Sequence, residues 1–195
     1  MNELKTLWET AWKLLHRGQS DANHPYRTPV VSTVSSTRHP RSRTLVLRKA
    51  QQSTGQLWCY TDRRSDKAAD IEVHPFMSWT FWDPRRRIQF SGSGPTTWLP
   101  QEECTARFRQ LPKHSRKAYA TVHQPGTPLE RPGDGLPADW PKRTEGETDY
   151  AQQYFGVLVT ELDYIDILQL IKTGHRRLRA IRTPGQDWQL SWVVP

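Results

Sequence analysis

Between residues 28 and 97 the chain presents five short segments of strand character in quick succession, and this constrains the fold more than any other feature. Thr28 to Ser36 sets Val30, Ser32 and Val34 against Val31, Thr33 and Ser35. Thr44 to Leu47, Leu57 to Thr61, Phe76 to Trp82 and Ile88 to Thr97 follow, with turn-forming residues between them. Period-two alternation, β-branched and aromatic content and short polar breaks indicate an antiparallel meander. A small barrel is the closed form of such a meander. Strand character returns in Phe155 to Thr160, Ile165 to Leu170 and Trp188 to Val193.

Helices flank these strands. Leu4, Leu7, Trp8, Ala11, Trp12, Leu14 and Leu15 recur at helical spacing, which predicts an amphipathic helix over Glu3 to Arg17 stopped by Gly18. Ser65 is placed to cap a helix running to about His74, where Pro75 ends it. A further helix is expected over Gln101 to Gln110 behind Pro100, and another over Lys113 to Thr121. Residues 124–148 carry Pro125, Pro128, Pro132, Pro137 and Pro141 among glycines and charges. So long an irregular stretch in a compact domain wraps a neighbour, covers a ligand or is disordered. One domain over residues 1–195 is expected, mainly β with flanking helices.

Only 35% of residues are hydrophobic, but nine Trp, six Tyr and five Phe supply large burial per residue. The balance of 28 Lys+Arg against 20 Asp+Glu gives a net charge of +8. That charge permits nucleic acid, phosphorylated ligands or anionic surfaces and does not choose among them. Two cysteines, Cys59 and Cys104, make no disulfide framework, and no Cys/His spacing fits a metal. No apolar run reaches membrane-span length and no signal-peptide core opens the chain, so a cytoplasmic setting is expected. Gly-x-Ser-x-Gly, Walker and Gly-x-Gly-x-x-Gly patterns are absent, and no catalytic nucleophile is assigned.

The chemistry-bearing residues are basic and sit at strand ends. Arg41 to Lys49 is a cationic strand, and Thr61-Asp-Arg-Arg-Ser-Asp-Lys67 is a basic turn into a helix. Backbone amides at a helix N-terminus, with hydroxyls and a cation nearby, form a phosphate site. A first helical turn prefers acidic residues, so Lys67 there favours an anion ligand, although Asp62 and Asp66 could neutralise it instead. Arg43 and Arg48 are five apart, an odd offset that points them to opposite faces of a regular strand. Arg85, Arg86 and Arg87 follow Asp83-Pro84 in an exposed turn. Arg177 and Arg179 share a strand face opposite Leu178, and they repel unless an anion or carboxylate lies between them.

These residues together resemble the pyridoxamine 5'-phosphate oxidase-like family of FMN-binding split barrels. The resemblance rests on Arg43-Thr-Leu-Val-Leu-Arg48, on Tyr60-Thr61 followed by Ser65 and Lys67, and on the strand from Arg87 to Gly92. Phe108, Leu111-Pro-Lys-His-Ser115 and His175-Arg-Arg-Leu-Arg179 extend it. The opening Trp12 to Gly18 with His24-Pro25-Tyr26 is similar to a less-characterised branch of FMN-binding, oxidase-like proteins. The resemblance implies a six-stranded antiparallel split β-barrel and a homodimer with FMN at the interface. It assigns the cofactor to Arg43, Thr44, Leu45, Val46, Tyr60, Thr61, Ser65, Lys67 and Arg87, with Gln124 from the partner subunit. It assigns a small-molecule substrate, one that can carry a phosphate, to Arg48, Ser115, Arg177 and Arg179.

This chain also departs from the family pattern. Arg48 replaces the usual Lys, Asp66 stands where an Arg is common, and Leu111 occupies the place of a substrate-phosphate Arg. Leu168 falls near the place of a flavin-contacting Trp, and the last Arg contact is displaced to Ile181 or Arg182. The cofactor-phosphate pattern is therefore better kept than the substrate pattern. The implied activity is FMN-dependent oxidoreduction of an unassigned substrate, with pyridoxamine or pyridoxine 5'-phosphate oxidation as an alternative. A non-catalytic flavin-, haem- or nucleic-acid-binding protein, or a deazaflavin reductase, are the other readings. Neither a membrane nor a nucleic acid is the expected partner.

Overall fold

A computed structural model describes residues 3–183 and 185–195. The chain begins with helix α1 (Glu3–Ser20), then a short 3-10 turn (Pro25–Arg27). Strands β1 (Val30–Val34), β2 (Pro40–Thr44), β3 (Leu47–Gln51) and β4 (Gln56–Asp62) lead to helix α2 (Asp66–Val73). Strands β5 (Phe76–Asp83) and β6 (Ile88–Trp98) precede helices α3 (Gln101–Arg109) and α4 (Lys113–Arg116). After the Pro-rich segment come β7 (Phe155–Glu161), β8 (Tyr164–Gln169), β9 (Arg176–Ile181) and β10 (Gln189–Val193).

All ten strands pair antiparallel in one sheet system. One layer runs β10-β9-β8-β6-β5-β1-β2, and a second joins β3, β4 and β7 to the far end of β6. Strand β6 belongs to both: residues 88–93 pair with β8, and 96–98 with β7. The crossing needs Gly94, because a Cβ there would lie 2.0 Å from the Glu161 carbonyl oxygen. The mainly-β class with flanking helices holds, and the strand count is ten rather than six. Part of the excess arises where the cationic strand breaks. Leu45 and Val46 stand outside both ladders, so the expected Thr44 to Leu47 strand is the gap between β2 and β3. A register shift follows at Arg48.

Helix α1 buries Trp8, Ala11, Trp12, Leu14 and Leu15 against the main core, where Trp12 and Phe90 rings meet edge to face. Gly18 does not stop this helix, which continues to Ser20. Its role is close approach: a Cβ at Gly18 would sit 2.7 Å from the Tyr26 carbonyl oxygen and 2.8 Å from its carbon. Alanine is the better helix former by about 1 kcal/mol. Backbone cannot give way as a side chain can, so Gly18→Ala is expected to destabilise by about 1–3 kcal/mol. A lower melting temperature in calorimetry checks this, and a higher one would mean that the helix shifts freely.

A second core lies under α3 and α4, built on Phe155 with Phe108, Tyr119 and Trp140. The expected helix over Lys113 to Thr121 is one α-turn continued as a 3-10 turn (Lys117–Tyr119), because the chain turns inward to bury Tyr119. The Pro-rich segment packs on this core within the single chain. Arg116, 3% exposed, donates to the carbonyls of Leu111 (2.8 Å) and Glu145 (2.9 Å), to Thr148 Oγ1 (3.1 Å) and to Asp149 Oδ1 (2.8 Å).

Candidate anion and cofactor site

Where β4 ends, five side chains form a locked turn. Asp62, 4% exposed, takes the Arg64 guanidinium through Nε (3.0 Å) and Nη2 (2.7 Å), and also the Arg64 amide (2.8 Å). Ser65 occupies the N-cap position of α2, yet its Oγ turns back to the Asp62 carbonyl at 2.7 Å and caps no helical amide. Its expected capping bond is thus absent, because the turn claims the hydroxyl. Lys67 Nζ donates to Thr61 Oγ1 (3.0 Å) and Ser65 Oγ (3.1 Å), both on buried residues.

Strand β2 brings Arg43 to the same corner. Its Nη1 donates to Thr33 Oγ1 at 2.7 Å, and Thr33 donates to Asp70 Oδ2 at 2.6 Å. Asp70, on α2, lies 3.8 Å from Arg43 Nη2. These bonds fix the guanidinium. Burial lowers the Lys67 pKa from its ordinary value, and the Arg43 charge lowers it further. Burial likewise lowers that of Arg43, with Asp70 opposing.

The acids that could have neutralised Lys67 are engaged elsewhere. Asp62 is held by Arg64, and Asp66 pairs with Arg41 at 3.2 Å. Among the described residues no carboxylate is within ion-pair distance of Lys67. A half-buried ammonium with only hydroxyls around it, beside a fixed guanidinium and a helix start, is a donor set without its acceptor. A phosphate monoester supplies that acceptor.

The other expected residues fall into separate groups. Thr44 ends β2, while Leu45 and Val46 cross to β3 outside the ladders, with the Leu45 amide bound to the Pro29 carbonyl. Alternation along β4 puts Thr61 with Lys67 but Tyr60 on the opposite face, under the Arg48 guanidinium at 4.7 Å. Arg107 and Lys49 lie over Trp58, two residues back on that face, at 4.7 and 4.2 Å. Arg48 and Arg107 each bury an Nε without a hydrogen-bond partner. Ser115 sits half-buried on α4. Leu111 packs on the second core.

Arg177 is held by Asp166, with Nε at 3.1 and 3.0 Å from the two carboxylate oxygens. Arg179 keeps a buried, unpartnered Nε. Arg87 is exposed in the β5–β6 turn at a left-handed φ of 52°. Gln124 is exposed on a turn whose carbonyl takes the Thr127 hydroxyl at 2.9 Å. Arg182 is committed to Thr54 and Leu162 carbonyls and to Glu161. Arg63, over Trp98 at 4.5 Å, and Arg64 are likewise occupied, so neither replaces the arginine missing at Asp66.

Five strand steps separate β2 from β9. At about 4.8 Å per step this is about 24 Å along the sheet. Cross-strand register also puts Arg43 on the Val31 face of the sheet and Arg177 and Arg179 on the other face, so within one chain the two groups do not converge on one ligand head group.

Sequence reading missed Thr33, Asp70 and Asp166, which orient the cations. A threonine at an inward position of β1, next to fully buried Val31, was the available signal for Thr33.

Residues 7–100 match the family model described as "Pyridoxamine 5'-phosphate oxidase, FMN-binding domain". A pyridoxine/pyridoxamine 5'-phosphate oxidase of Acinetobacter baumannii is 27% identical over 112 residues, 57% of this chain and 50% of that protein. One of Leptospira biflexa is 29% identical over 101 residues, 52% of this chain and 47% of that one. The chain thus spans about half the length of the curated relatives it matches. Among solved structures, a pyridoxamine 5'-phosphate oxidase-related, FMN-binding protein of Nostoc punctiforme superposes with a TM-score of 0.74. It has 24% identity and 96% of each chain covered. PhzG from Burkholderia lata, in complex with tetrahydrophenazine-1-carboxylic acid, gives 0.71 at 16% identity, covering 99% of this chain and 91% of that one. These superpositions establish the fold.

Proposed function

Since residues 7–100 match the FMN-binding domain model of the pyridoxamine 5'-phosphate oxidase family, we propose that the chain is an FMN-dependent oxidoreductase of that family acting, as a homodimer, on a small anionic substrate. The observation that carries the reading is the uncompensated Lys67 ammonium beside Arg43 and two buried hydroxyls. Arg43, Ser65, Thr61 and Lys67 would hold the FMN phosphate, and the unladdered backbone at Leu45 and Val46 would lie along the ring. Bound FMN supplies hydride or electron transfer at its ring. The protein's part is to anchor, orient and exclude water, and no side chain is assigned as a nucleophile.

Two observations support the homodimer. The substrate-side cations Arg177 and Arg179 lie five strands from Arg43 and on the other sheet face, so they do not act on the same ligand within one chain. Their sheet face also exposes Val30, Val34, Phe76, Trp82 and Ile181. An apolar patch of this kind on a sheet face is an interaction surface.

An anionic substrate is supported by Arg48, Lys49 and Arg107, which have no carboxylate partner among the described residues and stack on Trp58 and Tyr60. Pyridoxamine 5'-phosphate oxidation proper is the weaker reading, because the side chain at the expected phosphate arginine is Leu111, in the core. The two cysteines are free and buried, which fits a reducing cytoplasmic setting. No helix among the described residues is long and apolar enough to cross a membrane.

The test is anaerobic mixing of the FMN-loaded protein with pyridoxamine 5'-phosphate and with a panel of aromatic carboxylates and phosphates. Loss of the oxidised-flavin absorbance with one of them, restored by air, is the expected result. A panel that leaves the flavin oxidised, while FMN stays bound, would favour a carrier role.

A further inference from the structure

His24-Pro25-Tyr26-Arg27 has no part in the site above, yet most of it is rigidly engaged. The fully buried Tyr26 donates its hydroxyl to the Ile88 carbonyl at 3.2 Å. Arg27 Nη1 spans the Gln19 (2.7 Å) and Leu47 (3.2 Å) carbonyls. His24, 7% exposed, accepts the Tyr26 amide on Nδ1 at 3.1 Å. With Nδ1 an acceptor, the neutral ring carries its proton on Nε2. That Nε2 is buried and has no hydrogen-bond partner. A buried unsatisfied donor costs about 1–3 kcal/mol, so it points to an acceptor that the protein does not provide.

His24 forms part of the wall of a cavity of about 340 Å³ between the end of α1 and the β5–β6 turn. The charged groups around it are Arg17, Asp21, Asp83, Arg85 and Arg86. Asp83, 1% exposed, is saturated: it takes the Arg85 and Arg86 amides (2.9 and 3.0 Å) and Arg86 Nη1 (3.2 Å). Asp21 Oδ1 takes the Asn23 amide at 2.9 Å. The Arg17 and Arg85 guanidiniums have no hydrogen-bond or ion-pair partner among the described residues. Donors therefore outnumber acceptors here, and the space exceeds the roughly 30 Å³ that one water takes up.

We propose that this cavity is a binding site for a small oxyanion, a phosphate or carboxylate group, whose oxygen accepts the His24 Nε2 proton between the Arg17 and Arg85 guanidiniums. It lies at the Asp83 end of β5, whereas β1 carries Thr33, the partner of Arg43, towards the other end. The site is thus separate from the cofactor corner.

The experiment is a titration followed by the imidazole ¹⁵N resonances of His24, assigned with His24→Asn. Protein saturated with FMN, so that Arg43 and Lys67 are occupied, receives inorganic phosphate, methyl phosphate or acetate at constant ionic strength. A saturable shift with phosphate and methyl phosphate identifies a phosphate ligand, and one with acetate a carboxylate. In R17Q/R85Q, which removes two exposed and unpartnered side chains, the affinity should fall about tenfold or more, equivalent to about 1.4 kcal/mol. No saturable shift with any anion means that water alone serves Nε2 and overturns the proposal. An equal shift in the double variant overturns it too.

Discussion

Replacing Lys67 by methionine should weaken FMN binding by about 10- to 100-fold, the effect of one charge-assisted hydrogen bond to phosphate. The same change should leave the melting temperature of the flavin-free protein unchanged or higher. In the empty site the ammonium is desolvated and repelled by Arg43, and the hydroxyls of Thr61 and Ser65 with the more distant charges of Asp62 and Asp66 offset this only in part. The sign follows from the lowered pKa. A lysine depressed on folding favours the neutral form, so its charge burdens the folded protein at all pH values below the folded pKa. The burden lifts only as pH rises towards the ordinary value of 10.5. A structural lysine would behave oppositely, with stability lost and affinity kept. Thermal melts with and without FMN separate the two cases. Arg43→Ala should also weaken FMN, but it takes from the nearly buried Asp70 one of two cations, leaving it Arg41 and the Thr33 hydroxyl, and so should lower stability as well. Since the two cations face one ligand, the double variant need not show the product of the single effects.

The second large effect is expected at Arg116. Its guanidinium ties the α3–α4 corner to the end of the Pro-rich segment and lies 4.7 Å over the Phe108 ring. Asp149 and Glu145 are largely exposed, so their carboxylates resolvate easily when the arginine is removed. The Leu111 carbonyl and the buried Thr148 hydroxyl oxygen lose the Arg116 donor, while the Glu145 carbonyl keeps those of Thr148. Arg116→Met should therefore cost about 1–3 kcal/mol, the range for leaving buried acceptors unsatisfied. It should also free the segment locally, so that trypsin cuts after Lys142 or Arg143 faster than in the parent. Arg116→Lys should recover only part of this, because one ammonium cannot span acceptors arranged for a planar fork. An unchanged melt and cleavage rate would mean that the segment is held by Trp140 instead.

The strand alternation made the sheet legible from Thr28 to Thr97, because each inward apolar residue marks a face. The gap at Leu45 and Val46 was not legible: Arg43 to Lys49 contains no glycine or proline, and tertiary pairing alone ends β2 and starts β3. Gly18 carried a stop signal in sequence but serves a contact that exists only once Tyr26 is folded against it. At the site, the cations and hydroxyls were readable as types in a pattern. The side chains that hold them were not, since Thr33, Asp70 and Asp166 reach Arg43 and Arg177 from distant segments. For the same reason Asp62 and Asp66, left open as neutralisers of Lys67, pair instead with Arg64 and Arg41, which only the fold identifies.

The most direct test compares FMN with riboflavin, which differs only by the phosphate, in binding titrations of the flavin-free protein and of Lys67→Met. The parent should bind one FMN per chain and riboflavin far more weakly, and the variant should lose most of that difference. Equal affinity of the parent for both flavins would contradict the assignment of the Arg43–Lys67 corner to the phosphate.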